Sequence, residues 1–491
     1  MARQILSLPA RVASLAPRSL EDARRLVARV PEGAEAIEYR LDLADEAISP
    51  AAVLSLDGRP AVLTYRSLAE GGRFAGSSED YRRLVTAAYE TGAIVDVEHA
   101  RGILDDPAAL PERERVIVSH HAPFSLPDDW QARLSAMRAT RARAVKLVAG
   151  AGDLSASLRI ADLQKTQDGA AAIFPMGPAS PPGRVLSAMF GAALVYGPVD
   201  RETASGQISL SDLLDVYEVQ RPRPVEALYG IVGGSPSRSL SPRLYNTLFR
   251  ARDLDWLYLP LPIADFDREA PTSLHSDPPF RGFAVTQPWK LPAARAGRPS
   301  EDVVTVGAAN TLYLERGRWR AENTDVDGVF DPLADHDTGE GRSAVILGAG
   351  GASRAAVVAA RRLGYEVVVA ARRDAEGDRV AAELQVDSLA WSDVPHTEAD
   401  LYVNTTPVGW QDGDPSAIPP NLFENRPLVF DCVYRRDGRE TSTIREARAA
   451  GCPTIDGLQM LAAQAVRQAS LLGVEGVTLE EVRQILRETA S

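Results

Sequence analysis

The chain contains very little lysine. Of its 54 basic residues, only Lys146, Lys165 and Lys290 are lysines, and all the others are arginines. An arginine side chain keeps its proton in a protein, whereas a lysine amine can lose its proton and act as a nucleophile or a proton donor. The lysines are therefore candidates for catalytic residues. The alternative is that they are charged residues without a function. Lys165 lies in a polar helical run, which favours that alternative for it.

Cysteines, long apolar runs and an excess of positive charge are also lacking. Cys432 and Cys452 are the two cysteines, which excludes a disulfide framework and favours a reducing cytoplasm, and no His, Cys or Asp spacing suggests a metal site. No run approaches the roughly 18 apolar residues of a membrane span. Residues 1–16 are too interrupted by arginine for a secretory signal. The net charge of -13 argues against binding to nucleic acid or to an anionic membrane surface.

A break in the pattern lies near the middle of the 491 residues. That length exceeds what one hydrophobic core usually supports, so two or three domains are expected. Pro222 and Pro224 fix their own φ and favour extended conformations before them, so a helix that ends near Tyr217 cannot continue. We predict a first domain over residues 1–221, a linker over residues 222–227 and a new module from residue 228.

Short apolar strands recur before this break, usually separated by helical or loop-rich stretches. Eight such units in about 220 residues are the pattern of a (β/α)8 barrel, whose active site forms where the strands end. Polar side chains lie at those ends, and the alternation of strand side chains places them on shared faces. The predicted strands are residues 12–16, 36–42, 61–66, 93–98, 115–121, 144–149, 171–176 and 192–197.

Lys146 lies within one of these strands, between apolar neighbours. Burial and nearby arginines would favour its neutral amine, which is a nucleophile towards a carbonyl. A barrel lysine held in an ion pair is the alternative. Six of the eight strands carry an ionisable group at or near the end, which favours a converging site over isolated ion pairs.

Six short motifs, in order along the chain, resemble type I 3-dehydroquinate dehydratase over roughly residues 11–217. They are EYRLD at 38–42, TYRSLAEGG at 64–72, DVE at 96–98, VSHH at 118–121, VKL at 145–147 and GRVLS at 183–187. The resemblance implies that Lys146 forms an imine with the C3 ketone of 3-dehydroquinate. It also implies that His121 takes the C2 proton and returns a proton to the departing C1 hydroxyl, while Glu70 helps to set the protonation of His121. A neutral imidazole suits this role.

The same resemblance implies the contacts to the substrate's hydroxyls and carboxylate, for which a guanidinium fork is well shaped. The residues implied for the hydroxyls are Glu38, Arg40 and Arg66, and those for the carboxylate are Arg184 and Gln207. Thr203 replaces the family's usual serine four residues before the glutamine and keeps its hydroxyl. His120 competes with His121 for the role of base, and strand parity with Ser119 favours His121.

After the break, residues 228–232 are typical of a strand, and Ser239 and Ser241 lie just before a helix that begins at Pro242. Their hydroxyls could bind a polyol or an acid near the helix N-terminus, or only cap the helix. Lys290 could pair with Asp325 and exchange a proton with a substrate oxygen. A surface ion pair is the alternative.

A glycine-rich turn follows further along the chain. Residues 343–355 pass from an apolar strand through Gly348, Gly350 and Gly351 into a helix, and such a turn lets the backbone approach a pyrophosphate at the helix N-terminus. Arg372 and Arg373 follow the next strand, where an NAD site would have an acid. Arginines at that position suit the 2′-phosphate of NADP, so the pattern favours NADP.

The motifs of the second half resemble shikimate dehydrogenase over about residues 227–486. The resemblance implies Lys290 and Asp325 as the catalytic pair and NADP(H) as the cofactor. It also implies a substrate-binding domain over residues 228–335, to which residues 457–491 return, and a Rossmann NADP-binding domain over residues 336–456. Arg238 and Tyr245 stand where the family often has histidines. The residues implied to surround the substrate are Ser239, Ser241, Thr286, Asn310, Asp325, Tyr434 and Gln464, and those implied for the cofactor are Gly348, Ala349, Gly350, Gly351, Ala352, Arg372, Arg373, Thr405 and Gly457.

Together the two resemblances imply a bifunctional enzyme in the cytoplasm. It would dehydrate 3-dehydroquinate to 3-dehydroshikimate and then reduce that ketone to shikimate with NADPH, so its partners would be small molecules. One alternative is a sensor or repressor built from the same domains with one site inactive. Another is an enzyme that prefers quinate at the second site. The sequence does not indicate the oligomeric state.

Overall fold

The computed structural model describes residues 5–167, 169–236, 239–336, 341–435 and 437–490. The chain divides into two compact units. The first comprises Met1–Glu226, Leu259–Ala264 and His275–Pro278, and the second comprises Ala227–Tyr258, Asp265–Leu274 and Pro279–Ser491. The finer domain boundaries given above stay predictions.

The first unit contains an eight-stranded parallel sheet, whose strand order is β7-β6-β5-β4-β3-β2-β1-β8. The strands are β1 (Ala10–Leu15), β2 (Ala36–Arg40), β3 (Ala61–Thr64), β4 (Ile94–Glu98), β5 (Val116–Ala122), β6 (Ala144–Gly150), β7 (Ala171–Met176) and β8 (Leu194–Pro198). The helices between and after them are α1 (Leu20–Val27), α2 (Pro50–Leu54), α3 (Ser78–Glu90), α4 (Trp130–Ala139), α5 (Leu154–Gln164), α6 (Pro181–Met189) and α7 (Leu210–Asp215). The sheet is nearly closed, so the predicted (β/α)8 barrel is confirmed.

The inward side chains of the barrel lie in layers, because strand side chains alternate between the two faces. The lowest layer is apolar and belongs to one buried cluster, with Val12, Ala36, Val62, Ile94, Ile117, Ala144, Ala172 and Leu194 as its strand members. Two residues further along the strands, the same face carries polar groups, which are Glu38, Thr64, Asp96, Ser119 and Lys146. The outward side chains pack against the helices in a second apolar cluster. The polar layer therefore lies on an apolar floor near the ends of the strands.

The second unit contains two sheets. The first has the order β10-β9-β11-β13-β14-β12, with β13 antiparallel to both of its neighbours. Its strands are β9 (Ala227–Gly233), β10 (Trp256–Pro262), β11 (Phe280–Val285), β12 (Arg298–Pro299), β13 (Thr311–Glu315) and β14 (Arg318–Glu322). The helices of this part are α8 (Ser241–Arg250), α9 (Lys290–Ala293), α10 (Glu301–Val306) and α11 (Asp325–Ala334).

The other sheet is parallel throughout, with the order β17-β16-β15-β18-β19-β20. Its strands are β15 (Ser343–Leu347), β16 (Glu366–Ala370), β17 (Asp387–Leu389), β18 (Leu401–Asn404), β19 (Leu428–Asp431) and β20 (Thr454–Ile455). The remaining helices are α12 (Gly351–Arg362), α13 (Asp374–Leu384), α14 (Ser442–Ala449), α15 (Gly457–Leu471) and α16 (Leu479–Ala490). A strand order that reverses direction beside β15 is that of a dinucleotide-binding Rossmann sheet, so the predicted Rossmann fold is confirmed.

Helix α15 returns to the first sheet of this unit. A capping box at Asp456 and Gln459 fixes its start, because each residue bonds the backbone of the other. Three of its residues pack in the same apolar cluster as Tyr229 of β9 and the buried side chains of α8. They are Leu461, Ala462 and Ala465. Helix α15 therefore joins the part of the chain that carries Ser239, Ser241 and Asn310. Among the residues that the structure describes, no helix is long and apolar enough to cross a membrane.

Candidate active sites

Lys146 lies in the polar layer of the barrel, with only 3% of its surface exposed. Its Nζ forms an ion pair with Asp96 and lies 3.8 Å from Glu38 Oε1. The ring of Tyr196 lies 4.5 Å from the same nitrogen. Arg40, Arg66 and Arg184 line the same cavity as this amine, but its nearest charged partners are carboxylates. The amine is therefore aligned by two acidic side chains.

Arg66 connects these carboxylates to the rest of the site. Its Nη2 donates to Asp96 Oδ1 at 2.7 Å, and its Nη1 donates to Glu70 at 2.9 Å and to Ser119 Oγ at 2.9 Å. Burial would raise the pKa of Asp96, but the charges of Arg66 and Lys146 hold that pKa well below its usual value. Asp96 is thus a buried carboxylate that bridges two cations. The sequence analysis gave Asp96 no role. The alternation of strand side chains, which places it on the same face as the other polar groups at the strand ends, could have indicated one.

Glu70 lies between the two histidines of β5. Its Oε2 accepts a hydrogen bond from the backbone N of His121 at 3.1 Å and lies 3.1 Å from His121 Nδ1, whereas His120 Nδ1 lies 3.6 Å from Oε1. Burial would raise the pKa of Glu70, but hydrogen bonds to both histidines and the charge of Arg66 hold it well below its usual value. Burial and the charges of Arg66 and Lys146 lower the pKa of His121 to about 3, despite the opposing effect of Glu70. His121 is therefore a neutral imidazole, with its pKa further below neutrality than the sequence suggested.

All nine residues predicted for the first site line one small cavity of about 40 Å³. His120 does not line it, which agrees with the parity argument for His121. A space of this size admits a few water molecules, so a larger ligand must push some of the lining side chains apart. The nine residues are Glu38, Arg40, Arg66, Glu70, His121, Lys146, Arg184, Thr203 and Gln207.

Arg184 is a buried cation in the wall of this cavity. It lies on α6, 8% exposed, with its guanidinium 5.0 Å from the ring centre of Phe174. Its Nε has no hydrogen-bond partner among the described residues, and burial lowers its pKa to about 10. A buried guanidinium in this state can accept an anion as a partner. Gln207 lies nearby and accepts hydrogen bonds from Thr203 N at 2.8 Å and Thr203 Oγ1 at 2.9 Å.

The second site contains the other predicted lysine. Lys290 begins α9, and its Nζ donates to Asp325 Oδ2 at 2.6 Å. Asn310 Nδ2 donates to the other oxygen of Asp325 at 2.9 Å and also reaches Gln464 Oε1 at 3.2 Å. Both members of the pair are shielded, with 15% of the lysine side chain and 7% of the aspartate side chain exposed. The pair is therefore not the surface ion pair that the sequence left open.

This pair lies in a cavity of about 520 Å³. Eleven of the predicted residues line it, whereas Gly348, Ala349, Gly350, Gly351, Arg372 and Arg373 do not. Arg238 lies outside the described residues. The lining residues are Ser239, Ser241, Thr286, Lys290, Asn310, Asp325, Ala352, Thr405, Tyr434, Gly457 and Gln464.

The glycine-rich turn fits a dinucleotide. Gly348 has a φ of 125°, and a Cβ there would collide with Thr405 Oγ1, so only glycine is suited to the position. Gly350 caps α12 without a side-chain bond, which leaves the first N–H groups of the helix free to face an anion. Arg372 and Arg373 are exposed just after β16, where a 2′-phosphate would lie.

Asp431 is a further buried group, to which the sequence assigned no role. It accepts hydrogen bonds from Asn404 Nδ2 at 2.8 Å and Thr441 Oγ1 at 2.6 Å. Burial raises its pKa to about 6, against the effect of these bonds. Cys432 beside it lines the cavity, but burial also raises the pKa of its thiol, so it is no nucleophile.

A barrel with a buried lysine among charged groups, followed by a dinucleotide-binding fold with a lysine–aspartate pair, defines an enzyme with two separate active sites. Residues 12–223 match the family model described as type I 3-dehydroquinase, and residues 231–312 match that of the shikimate dehydrogenase substrate binding domain. The chain belongs to the family of bifunctional 3-dehydroquinate dehydratase/shikimate dehydrogenases.

Individual relatives span either the whole chain or its second half. The chloroplastic bifunctional 3-dehydroquinate dehydratase/shikimate dehydrogenase of Arabidopsis thaliana is 28% identical over 469 residues, which are 89% of this chain and 77% of that protein. The NADP(+) shikimate dehydrogenase of Maridesulfovibrio salexigens is 33% identical over 54% of this chain and 97% of its own. A solved structure of the dehydroquinate dehydratase and shikimate dehydrogenase from S. pombe covers 97% of this chain and 98% of its own, at 21% identity and a TM-score of 0.43.

Proposed function

We propose that the barrel dehydrates 3-dehydroquinate to 3-dehydroshikimate and that the second site reduces this product to shikimate with NADPH. One observation carries the proposal: two of the three lysines of the chain lie in two different cavities, each paired with a carboxylate. A sensor without turnover would not need two such amines. The third lysine, Lys165, lies in neither cavity and pairs with Asp162 at 3.0 Å.

In the first reaction, the amine of Lys146 adds to the C3 carbonyl of the substrate, and water leaves as the protonated imine forms. Neutral His121 then removes the proton from C2, and the electrons of that C–H bond move into the imine to give an enamine. Their return expels the C1 hydroxyl, which takes a proton from His121 and leaves as water. Hydrolysis of the imine releases the product and restores Lys146, so the net change is the loss of one water.

The substrate carboxylate is assigned to Arg184, the buried guanidinium whose Nε has no partner among the described residues. A carboxylate there would offset the cost of burying this charge, and the fork of the guanidinium would fix its orientation. Glu38 lies across the cavity, where Ser14 Oγ at 2.5 Å and Thr64 Oγ1 at 3.0 Å fix its two oxygens. A carboxylate fixed in this way can accept hydrogen bonds from substrate hydroxyls.

In the second reaction, NADPH supplies a hydride to the ketone carbon when it is bound. The Gly348–Gly351 turn and the start of α12 would hold its pyrophosphate, and Arg372 its 2′-phosphate. Lys290 donates the proton that the ketone oxygen requires as it becomes a hydroxyl. Asp325 keeps the ammonium aimed into the cavity, and Asn310 fixes Asp325 from the opposite side. Ser239, Ser241, Thr286, Tyr434 and Gln464 supply the polar wall around the substrate.

The proposed function is tested by supplying purified protein with 3-dehydroquinate and NADPH. Shikimate should form, detected by chromatography, and NADPH should be consumed. Supplying 3-dehydroshikimate instead isolates the second reaction. The proposal fails for the barrel if only 3-dehydroshikimate is turned over, and it fails for the second site if 3-dehydroshikimate does not lead to NADPH consumption. It fails for both sites if, in addition, no 3-dehydroshikimate forms from 3-dehydroquinate.

The assignment of His121 as the base predicts a contrast between neighbouring histidines. His121→Ala should slow dehydration by about 10²- to 10⁴-fold, the usual contribution of a general acid–base group. His120→Ala should stay within a few-fold of the unaltered protein, because His120 does not line the cavity. Initial rates of dehydration for the two variants decide the point, and the opposite ranking would overturn the assignment.

The assignment of Arg372 predicts a change in cofactor preference. Arg372→Ala should raise the KM for NADPH about tenfold, because a charge-assisted contact to phosphate is worth roughly 1.5 kcal/mol. The KM for NADH, which lacks the 2′-phosphate, should not change. Arg379→Ala is the matched control, since Arg379 is an exposed arginine of α13 that pairs with Glu383. An equal rise of both KM values in the Arg372 variant would contradict the assignment.

A cytoplasmic location is also part of the proposal. Its support is that Cys432 and Cys452 are both free thiols. Fractionation of the source cells with an antibody to the protein tests it.

A further inference from the structure

A chain of buried hydrogen bonds runs beneath the second site. The hydroxyl of Tyr245 donates to Gln468 Oε1 at 2.9 Å, Gln468 Nε2 donates to Thr311 Oγ1 at 2.6 Å, and Thr311 Oγ1 donates to Asn310 Oδ1 at 2.9 Å. Tyr245 and Thr311 have 0% of their surface exposed and Gln468 has 1%. The proton exchange and the cofactor binding described above do not use Tyr245, Gln468 or Thr311.

The location of these groups is costly for polar atoms. Tyr245 lies in an apolar cluster with Phe249 and Ala465, and its ring stacks on Tyr258 with 4.7 Å between the ring centres. A buried amide or hydroxyl is tolerated there only if it is hydrogen bonded, and two apolar side chains would fill the same space without that requirement. Both ends of the Gln468 amide are bonded, so its orientation is fixed. Polar side chains that are buried at this cost are candidates for a functional role.

This chain of hydrogen bonds links three elements, and each of them carries a residue assigned to the substrate. Tyr245 lies on α8, which begins at Ser241, and Gln468 lies one helical turn after Gln464 on α15. Thr311 begins β13 and directly follows Asn310. Gln468 also lines the cavity. The relative position of these three elements therefore depends on bonds that meet at Gln468.

The other end of this chain of hydrogen bonds reaches Lys290 and Asp325, the pair that exchanges the proton. Asn310 Nδ2 donates to Asp325 Oδ1 at 2.9 Å, and Asp325 Oδ2 accepts from Lys290 at 2.6 Å. Asn310 Oδ1 also accepts from the backbone N of Thr324 at 2.8 Å, and Asn310 Nδ2 donates to Thr324 Oγ1 at 2.9 Å, so Thr311 is one of several anchors for this amide. Loss of Thr311 should therefore loosen Asp325 and not release it.

We propose that Tyr245, Gln468 and Thr311 are positioning residues for the reduction, acting through Asn310 on Asp325 and Lys290. The inference rests on the ketone reduction proposed for this site. It makes the rate of proton transfer depend on Tyr245 and Thr311, which do not line the cavity, and on Gln468 at its edge. It also gives a role to Tyr245, one of the two positions at which this protein lacks the histidine often found in the family.

The first test is a pair of substitutions at Thr311. Thr311→Val removes the hydroxyl and keeps a β-branched side chain in the strand, whereas Thr311→Ser keeps the hydroxyl. We expect kcat for the reduction to fall about five- to tenfold in the valine variant, the effect of one neutral hydrogen bond, with the KM for 3-dehydroshikimate less than doubled. The serine variant should recover most of the rate. A valine variant with the original kcat, or a serine variant as slow as the valine one, would overturn the proposal.

The second test uses tyrosines of the same core. Tyr245→Phe should lower kcat for the reduction in the same way as Thr311→Val, and combining the two should cost little more than the larger single effect, because both break one chain. Tyr229→Phe is the matched control, since the Tyr229 hydroxyl is also buried but donates to Leu472 O. An equal loss in Tyr229→Phe, or fully additive losses in the double variant, would count against the proposal.

Dehydration by the barrel of the same polypeptide serves as the internal control. It should be unchanged in every variant, and a parallel loss of both activities would show general destabilisation and overturn the positioning role. Failure of the proposed function looks different, because the unaltered protein would then not reduce 3-dehydroshikimate at all.

Discussion

Lys146→Ala will abolish the dehydration of 3-dehydroquinate and leave the reduction of 3-dehydroshikimate unchanged. Without the amine no imine can form, so the C2 proton keeps its ordinary weak acidity. Dehydration should fall by about four orders of magnitude or more, as for other enzymes that lose a covalent nucleophile. The appearance of the conjugated product measures the loss. Borohydride reduction in the presence of substrate should attach the ligand to the unaltered protein and not to the variant.

The fold should survive this substitution. Asp96 loses one cation but keeps Arg66 at 2.7 Å and Ser119 Oγ at 2.5 Å, so the carboxylate is not left without a partner. Thermal unfolding followed by circular dichroism checks this. Lys165→Ala is the matched control, because it removes the same side chain outside both cavities and should change neither activity. Dehydration or borohydride labelling that persisted in Lys146→Ala would exclude the imine mechanism at this residue.

Lys290→Met will have the opposite effect: dehydration stays intact and 3-dehydroshikimate accumulates. Methionine keeps an unbranched side chain beside Gly351, with sulfur in place of the lysine Cδ, but cannot donate a proton to the ketone oxygen. The reduction should slow by about 10³-fold, within the usual range for loss of a general acid. Asp325 keeps its hydrogen bond from Asn310, so the cavity should retain its shape. The rate of NADPH consumption with 3-dehydroshikimate as substrate measures the effect.

Binding measurements separate the chemistry of Lys290 from cofactor affinity. NADPH should bind the methionine variant with nearly its original affinity, seen in the fluorescence of the bound nicotinamide. A variant that reduced the ketone at the original rate would exclude Lys290 as the proton donor. A variant that also lost dehydration, but unfolded at the same temperature as the unaltered protein, would contradict the assignment of the two steps to separate sites. Mixing the Lys146→Ala and Lys290→Met variants should restore shikimate formation, since each supplies the step that the other lacks.

The residues that enter the first site follow from strand periodicity. Side chains two apart share a face and parallel strands end at the same edge of the barrel, which predicted a converging site and favoured His121 over His120. The roles of Glu38 and His121 came from the resemblance to type I 3-dehydroquinate dehydratase. The sequence could not show which charges face Lys146. Asp96 is 50 positions away along the chain, and only the pairing of β4, β5 and β6 brings the two side chains together. For this reason the sequence did not indicate the ion pair between Lys146 and Asp96.

The second site shows the same limit over longer separations. Lys290, Asp325 and the glycine-rich turn were found from local motifs, each of which combines a few residues with one backbone geometry. Gln468 and Tyr245 are 223 positions apart, and neither lies in a pattern that marks a hydrogen bond. Their contact depends on the return of α15 to the first sheet of its unit, which is a property of packing and not of local sequence.

The sequence by itself determined which elements form and which side chains they carry. The apolar strand pattern, the scarcity of lysine and the glycine turn depend on local backbone preferences and residue chemistry, and these act over a few residues. Only the tertiary structure decided the protonation of His121, the carboxylate partners of Lys146 and the bonds under Asn310. It also decided the burial of Arg184, whose Nε has no partner among the described residues. Burial and charge neighbours set these properties, and both arise from residues that are distant in the chain and adjacent in the fold.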